Sequence, residues 1–259
     1  VELLTPDPVH GGVKMPPRRV TAGELLELLD KARADADPWR TGRGTEKGWP
    51  RTPKILSAAL TRIEPALRQA HDTARLLGGT RYRAFSPSDT CPDNNLVTSR
   101  GVRFVDFEGG CFRDVVLDAA YFRVPFPACE ASFALPDGMA AVMLEAWRNE
   151  IAGMWPDLDD AGVLEGRLLD AQLLWVWLCT WWLLPRIRER DGMLGADPTR
   201  TPRISTALAH YWREMATAAG AVGRDASAEL GIAVSDALRA RHPDTAPSLP
   251  VYPAFRSVA

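Results

Sequence analysis

A twelve-residue apolar stretch, LLWVWLCTWWLL from Leu173 to Leu184, constrains the fold of this chain more than any other feature. It is shorter than the roughly 20 apolar residues that a helix needs to cross a bilayer, and the polar residues Asp170 and Gln172 come just before it. Its tryptophans would project around the whole circumference of a helix, so such a helix must be covered on most sides. The stretch therefore predicts a buried central helix and no membrane partner. These tryptophans are Trp175, Trp177, Trp181 and Trp182.

Helical patterns dominate the rest of the chain, and β-rich runs occupy only its middle. After an extended lead-in over residues 1–20, apolar periodicity and capping residues predict six helices, at about 21–36, 52–77, 138–153, 159–184, 202–219 and 225–241. The runs TRYRAF, NLVTS and VRFVDF predict three short strands around residues 81–107, with a hairpin turn that ends at Gly101. The expected fold class is α+β, mostly α, with a small sheet inserted in one helical unit that spans residues 1–259.

Charge and cysteine content narrow the range of partners. The net charge of −2 gives no electrostatic support to a nucleic-acid partner, so none is predicted. The four cysteines form no C-x-x-C pair, and this pattern predicts free thiols in a reducing compartment, the cytoplasm. The four histidines lie far apart in sequence and show no metal-ligand spacing.

Polar side chains cluster in the segment SPSDTCPDNNLV, from Ser86 to Val97, just before the strand run VRFVDFEGG. Asp89 and Asn94 form a D-x-x-x-x-N pattern, and Asp106 ends the strand run. Phosphoryl transfer uses these residue types, because one carboxylate accepts a proton while an amide oxygen and a second carboxylate hold Mg²⁺. The alternative is an Asx-type turn between strands, with Asp106 as a solvent-facing acid at a strand end.

Three motifs in order resemble the kinase-like small-molecule phosphotransferases, the aminoglycoside phosphotransferase and choline kinase group: PSDTCPDNNLV, VRFVDFEGG and LDAAYF, within residues 81–122. The resemblance implies a protein-kinase-like helical C-terminal lobe, with its remaining helices over residues 137–245. It also implies ATP-dependent phosphorylation of a hydroxyl on a small-molecule substrate. By the same resemblance Asp89 is the catalytic base, Asn94 and Asp106 are Mg²⁺ ligands, and Asp118 is a structural acid that supports the loop. The implied cofactors are Mg²⁺ and ATP.

The sequence departs from that family pattern in two places. Pro87 and Ser88 stand where the family has His-Gly, and proline has no backbone donor. Residues 1–80 contain no counterpart of the family's small N-terminal β lobe and its phosphate-binding lysine, so the sequence is interpreted as the helical lobe alone, with the N-terminal lobe as a missing partner. Two alternatives stay open: a non-catalytic binding or scaffolding module, and an unrelated helical domain that contains a chance turn.

Overall fold

The computed structural model of the 259-residue chain describes residues 2–5, 18–21, 69–70, 72–77, 80–107, 109–127, 129–130, 132–189, 191–195 and 201–256. The helix predicted at 21–36 lies outside the described residues, apart from Thr21, which is the last residue of a strand. Only the end of the helix predicted at 52–77 is described. It closes in the 3₁₀ turn Ala74–Leu77, directly before the two glycines at which the sequence predicts its end.

The described strands form three two-stranded antiparallel sheets. Their bounds are β1 Glu2–Thr5, β2 Arg18–Thr21, β3 Arg83–Ser86, β4 Asn95–Thr98, β5 Gly101–Phe104 and β6 Cys111–Asp114. β1 pairs with β2, β3 with β6, and β4 with β5. The β1–β2 pair and β6 were not predicted. The buried residues of β6 are the polar Arg113 and Asp114, so its sequence carries no apolar strand pattern.

The hairpin predicted around Gly101 is confirmed. β4 and β5 are joined by the two residues Ser99 and Arg100, and Val97 pairs with Val102. Gly101 has φ +95°, a left-handed conformation that glycine adopts without steric cost. The Thr98 hydroxyl accepts a hydrogen bond from the Arg100 amide at 3.2 Å and donates one to the Gly101 carbonyl at 2.7 Å. The turn is therefore held by its own side chains.

The described α-helices have the bounds α1 Val116–Ala119, α2 Met139–Ile151, α3 Ala161–Glu189, α4 Ile204–Ala221 and α5 Asp225–Arg241. The last four match predicted helices within a few residues, except that α3 continues beyond the predicted end at residue 184. It passes through Pro185, which removes one backbone hydrogen bond. Ile187 is buried one turn later, so tertiary packing maintains the helix. The mostly helical α+β class is confirmed.

α3 is the central helix, as its apolar stretch predicts. Trp175 and Trp177 are buried, and Trp177 packs edge-on against Trp212 of α4 with 5.2 Å between ring centroids. The side chains of Trp181 and Trp182 lie outside the described part of the structure. α4 and α5 approach closely, since a Cβ atom on Gly231 would lie 2.7 Å from the Trp212 carbonyl oxygen. In the described part of the chain, no helix is long and apolar enough to cross a membrane.

His210 gives this helical core a pH dependence. Burial and, to a smaller extent, the charge of Arg239 on α5 lower the pKa of His210 to about 4. The unfolded chain binds a proton near pH 6.5 while the folded chain stays neutral, so unfolding takes up a proton between these values and stability falls as the pH falls. We expect His210 to remove about 2 kcal/mol of unfolding free energy between pH 7 and pH 5.

The measurement is urea denaturation of the chain and of His210→Gln at both pH values. The variant is expected to lose about 2 kcal/mol less than the parent over this interval. Because other acids also titrate, only the difference between the two proteins reports on His210. Equal losses in the two proteins would contradict a buried neutral histidine.

Candidate functional site

The loop between β3 and β4 has the geometry of an Asx turn. The carboxylate Oδ1 of Asp89 accepts a hydrogen bond from the Cys91 amide at 3.1 Å, and the Asp89 amide donates to the Pro87 carbonyl at 2.9 Å. Ser88 has φ +72°, which is uncommon for a residue with a side chain. The 3₁₀ turn Pro92–Asn94 then leads into β4. The local structure of this segment is therefore an Asx turn, the alternative that the sequence analysis gave to a phosphotransfer site.

The fold brings the backbones around Asn94 and Asp106 together. The Val105 amide donates to the Asn94 carbonyl at 3.0 Å, and Asp106 follows directly with φ +64°. The Asn94 side-chain amide donates to the Asp89 carbonyl at 3.4 Å. Asp89 and Asn94 are half-buried, and Asp106 is exposed. The catalytic role of Asp89, the metal-ligand roles of Asn94 and Asp106, and the cofactors Mg²⁺ and ATP stay predictions.

A buried arginine lies beneath this loop. Arg113 of β6 forms an ion pair with Asp118 and donates a hydrogen bond to the Ser88 carbonyl at 3.2 Å. The Tyr121 hydroxyl donates to the same carbonyl at 2.7 Å, and the Ser86 hydroxyl donates to Asp118 at 2.8 Å. Burial by itself lowers the pKa of Arg113, but the charges of Asp118 and Tyr121 and the hydrogen bond to Asp118 together outweigh it, so the net pKa is raised. Arg113 therefore stays charged and holds Ser88 in place.

Asp114, the neighbour of Arg113, connects the sheet to the helical core. Its fully buried carboxylate accepts hydrogen bonds from Thr80 and from Arg167 of α3. It also accepts from the Val116 amide at 3.1 Å at the start of α1. Sequence reasoning did not find Arg113 or Asp114 as site residues, because adjacent charged residues after a glycine pair are typical of an exposed loop.

A second feature of the site region is a set of exposed aromatic and arginine side chains on β3, on β6 and on the turn that precedes β6. We call it the aromatic–arginine face. Phe85 packs against Phe107 with 6.2 Å between ring centroids and against Phe112 with 5.8 Å, and the Arg83 guanidinium lies 5.5 Å from the Phe112 centroid. Its phenylalanines are each about half exposed. The face consists of Arg83, Phe85, Phe107 and Phe112, and Arg100, Arg103 and Phe104 of the β4–β5 hairpin are exposed as well.

Three exposed arginines lie on the face and on the β4–β5 hairpin. Within the described ranges, no carboxylate forms an ion pair with Arg83, Arg100 or Arg103. Arg103 donates a hydrogen bond to the neighbouring Val102 carbonyl at 3.2 Å. The packed and exposed phenylalanines of the face are unusual, since monomeric proteins rarely expose large contiguous apolar patches.

Comparison with protein families gives a match in the N-terminal part of the chain. Residues 9–84 match the family model of the AICE RepA C-terminal domain, and no curated protein matches the chain. The matched residues include β2 and the first two residues of β3.

This match corrects three predictions. The assignment to the aminoglycoside phosphotransferase and choline kinase group is wrong, and so is the predicted phosphotransfer to a small molecule. A D-x-x-x-x-N pattern before a hairpin also fits an Asx turn that precedes two short strands, as found at Asp89, so by itself it does not identify a kinase. The prediction that excluded nucleic acid is also contradicted, because it used the net charge of the whole chain and not its local distribution. Over residues 9–84 the chain is similar to the AICE RepA C-terminal domain, a replication-initiator-like family.

Proposed function

We propose that this protein has a role in DNA replication and binds single-stranded DNA. The observation that carries the proposal is the match of residues 9–84 to the AICE RepA C-terminal domain. A replication-related protein meets DNA in both duplex and single-stranded form. The chemistry of the aromatic–arginine face supports the single-stranded form, because exposed aromatic rings suit unpaired bases.

The aromatic–arginine face supports the proposal through two interactions. Exposed aromatic rings stack on the bases of a single strand, which adds about 1–3 kcal/mol per base. Arginine side chains contact phosphates and stack on bases as well. Phe85, Phe107 and Phe112 already pack as a group, so stacking on a base would not require them to reorganise.

Local charge explains how a chain with a net charge of −2 can bind a polyanion. The hairpin Asn95–Phe104 contains Arg100 and Arg103 and no acidic residue. Screening limits the reach of distant charges to about 8–10 Å at physiological salt, so acids elsewhere on the surface contribute little at the hairpin. The hairpin is therefore a cationic projection on a chain of weakly acidic overall charge.

Acidic groups at the base of the hairpin suggest a role for a divalent cation. Asp89 and Asp106 would repel a phosphate, and Asn94 offers an amide oxygen beside them. We propose that Asn94 and Asp106 hold Mg²⁺, which accepts carboxylate and amide oxygen ligands and also binds phosphate. Bound Mg²⁺ would supply positive charge next to the hairpin, and these residues would orient it towards the DNA backbone.

The test is titration of a fluorescent single-stranded oligonucleotide with the full chain, monitored by anisotropy at several salt concentrations. Removing two phosphate contacts in Arg100→Ala/Arg103→Ala should reduce the slope of log K against log salt by about 1.4. The affinity should fall about tenfold or more at low salt. Arg256→Ala is the matched control, as this exposed arginine lies outside the aromatic–arginine face and the hairpin.

Further experiments test the stacking residue and the proposed Mg²⁺ site separately. Phe112→Ala should weaken binding with no change in the salt slope, because a stacking ring carries no charge. Removal of Mg²⁺ should weaken binding by the parent chain and have little effect on Asp106→Asn. Equal affinities of the parent and the double arginine variant, or tighter binding of duplex than of single strands, would contradict the proposed use of this face and the hairpin.

A further inference from the structure

Two buried cysteines and an aspartate converge beside the β3–β4 loop. Cys91 lies at the end of the Asx turn, Asp93 lies in the 3₁₀ turn that follows, and Cys129 comes from the segment after α1. Their ligand atoms all lie within 4.8 Å of one another, and the Cys129 Sγ is 4.0 Å from the Asp93 Oδ1. Cys91 and Cys129 are buried, while Asp93 is exposed.

We propose that Cys91, Asp93 and Cys129 bind one Zn²⁺ ion. Thiolate and carboxylate are ligands that Zn²⁺ accepts in tetrahedral sites, with Zn–S distances of about 2.3 Å and Zn–O distances of about 2.0–2.2 Å. Ligand atoms in such a site are separated by about 3.5–3.8 Å. The separations between the ligand atoms of Cys91, Asp93 and Cys129 therefore need to shorten by about 1 Å, which side-chain rotation can supply.

The ligand positions are held by the backbone before any ion binds. The Asn95 side-chain amide donates to the Cys91 carbonyl at 2.6 Å, and the Cys91 amide donates to Asp89. The Cys129 amide donates to the Phe126 carbonyl at 2.8 Å. An ion here would connect the β3–β4 loop to a segment some forty residues later in the chain, and so fix the loop that carries Asp89 and Asn94.

The fourth coordination position has a suitable neighbour in Tyr252. Its hydroxyl is buried and has no hydrogen-bond partner within the described part of the chain. Its ring packs against Phe126 and Phe133, with 6.3 and 5.5 Å between centroids. Phe126, which packs against this ring, also accepts the hydrogen bond from the Cys129 amide. A zinc-bound water would accept the hydrogen bond that this buried hydroxyl lacks.

Metal binding is expected to release protons from the thiols. A hydrogen bond with Cys129, together with burial, raises the pKa of the Cys91 thiol. Both sulfurs ligate as thiolates, so Zn²⁺ must displace their protons and its affinity should rise with pH.

The experiment uses the reduced, chelator-treated full chain, titrated with Zn²⁺ in competition with a chromophoric chelator. One ion is expected per chain, and Co²⁺ in its place should show sulfur-to-metal charge-transfer absorption. Cys91→Ser and Cys129→Ser should each weaken binding about 100-fold or more. Asp93→Asn alters an exposed side chain and should weaken binding without affecting folding. Cys111→Ser is the control, because Cys111 is a half-buried cysteine outside the cluster.

Three results would overturn the proposal. The first is unchanged Zn²⁺ affinity in Cys129→Ser and Asp93→Asn. The second is a Co²⁺ spectrum that lacks thiolate absorption. The third is a disulfide between Cys91 and Cys129 in the purified chain, detected by mass spectrometry, with no metal binding after reduction. Circular dichroism of each variant confirms that a loss of binding is not a loss of fold.

Discussion

Replacing Trp175 by alanine is expected to lower the free energy of unfolding by about 3–5 kcal/mol. Trp175 is 2% exposed and lies at the centre of α3. Its ring packs against Tyr121 with 5.0 Å between centroids, and its indole N–H donates to the Leu117 carbonyl at 2.9 Å. Alanine would leave a cavity between α3 and α1 and remove the donor of that buried carbonyl.

Chemical denaturation with two-state analysis measures this loss. Phe255→Ala is the matched control, since Phe255 is an aromatic residue that is about half exposed. Its replacement should lower the free energy of unfolding by much less than Trp175→Ala does. Trp175→Phe should fall between the two, because it keeps part of the packing and loses the hydrogen bond. A near-neutral effect of Trp175→Ala would show that α3 is not the central helix.

Replacing Arg113 by methionine is expected to lower the unfolding free energy by about 3 kcal/mol. Arg113 is fully buried, and its removal leaves the Asp118 carboxylate without its cation and the Ser88 carbonyl with Tyr121 as its remaining donor. The Asp118 side chain is 26% exposed, so water can hydrate part of its charge. The expected loss therefore lies at the lower end of the about 3–5 kcal/mol that removing one partner of a buried ion pair costs. Methionine keeps most of the volume, so the loss reports on charge and hydrogen bonding.

The control is Arg123→Met. Arg123 pairs with Glu165 at 2.6 Å, but this pair is partly exposed and its loss should cost about 1 kcal/mol or less. The double variant Arg113→Met/Asp118→Asn should recover part of the loss, because the asparagine leaves no uncompensated charge. Equal effects of Arg113→Met and Arg123→Met would contradict the buried ion pair.

Local sequence patterns determined much of the secondary structure. The apolar periodicity between Asp225 and Arg241 predicted α5 with its observed bounds, and the tryptophan-rich stretch predicted the buried part of α3. The hairpin could be predicted because Gly101 follows two turn residues between β-rich runs. Helix periodicity, capping residues and turn residues act over a few positions, so they can be identified in the sequence alone.

Function did not follow from local patterns in the same way. The motif around Asp89 and Asn94 resembled a phosphotransferase loop, yet the family match lies mainly upstream, at residues 9–84. The net charge of −2 argued against a nucleic-acid partner because it averages the charge over the whole chain. A net charge does not report a local group of arginines. The position of Arg100 and Arg103 on a projecting hairpin becomes informative once the neighbours of the hairpin are known.

By itself, the sequence determined the helices α2 to α5, the β4–β5 hairpin and the mostly helical class. Only the tertiary structure decided that Arg113 is buried under Ser88, that β6 pairs with β3, and that Cys91 meets Cys129. These contacts join residues distant in sequence, and their side-chain types alone do not identify their partners. An arginine or a cysteine has the same local propensities on a surface as in a core, so its burial and its partners follow from the packing of the whole chain.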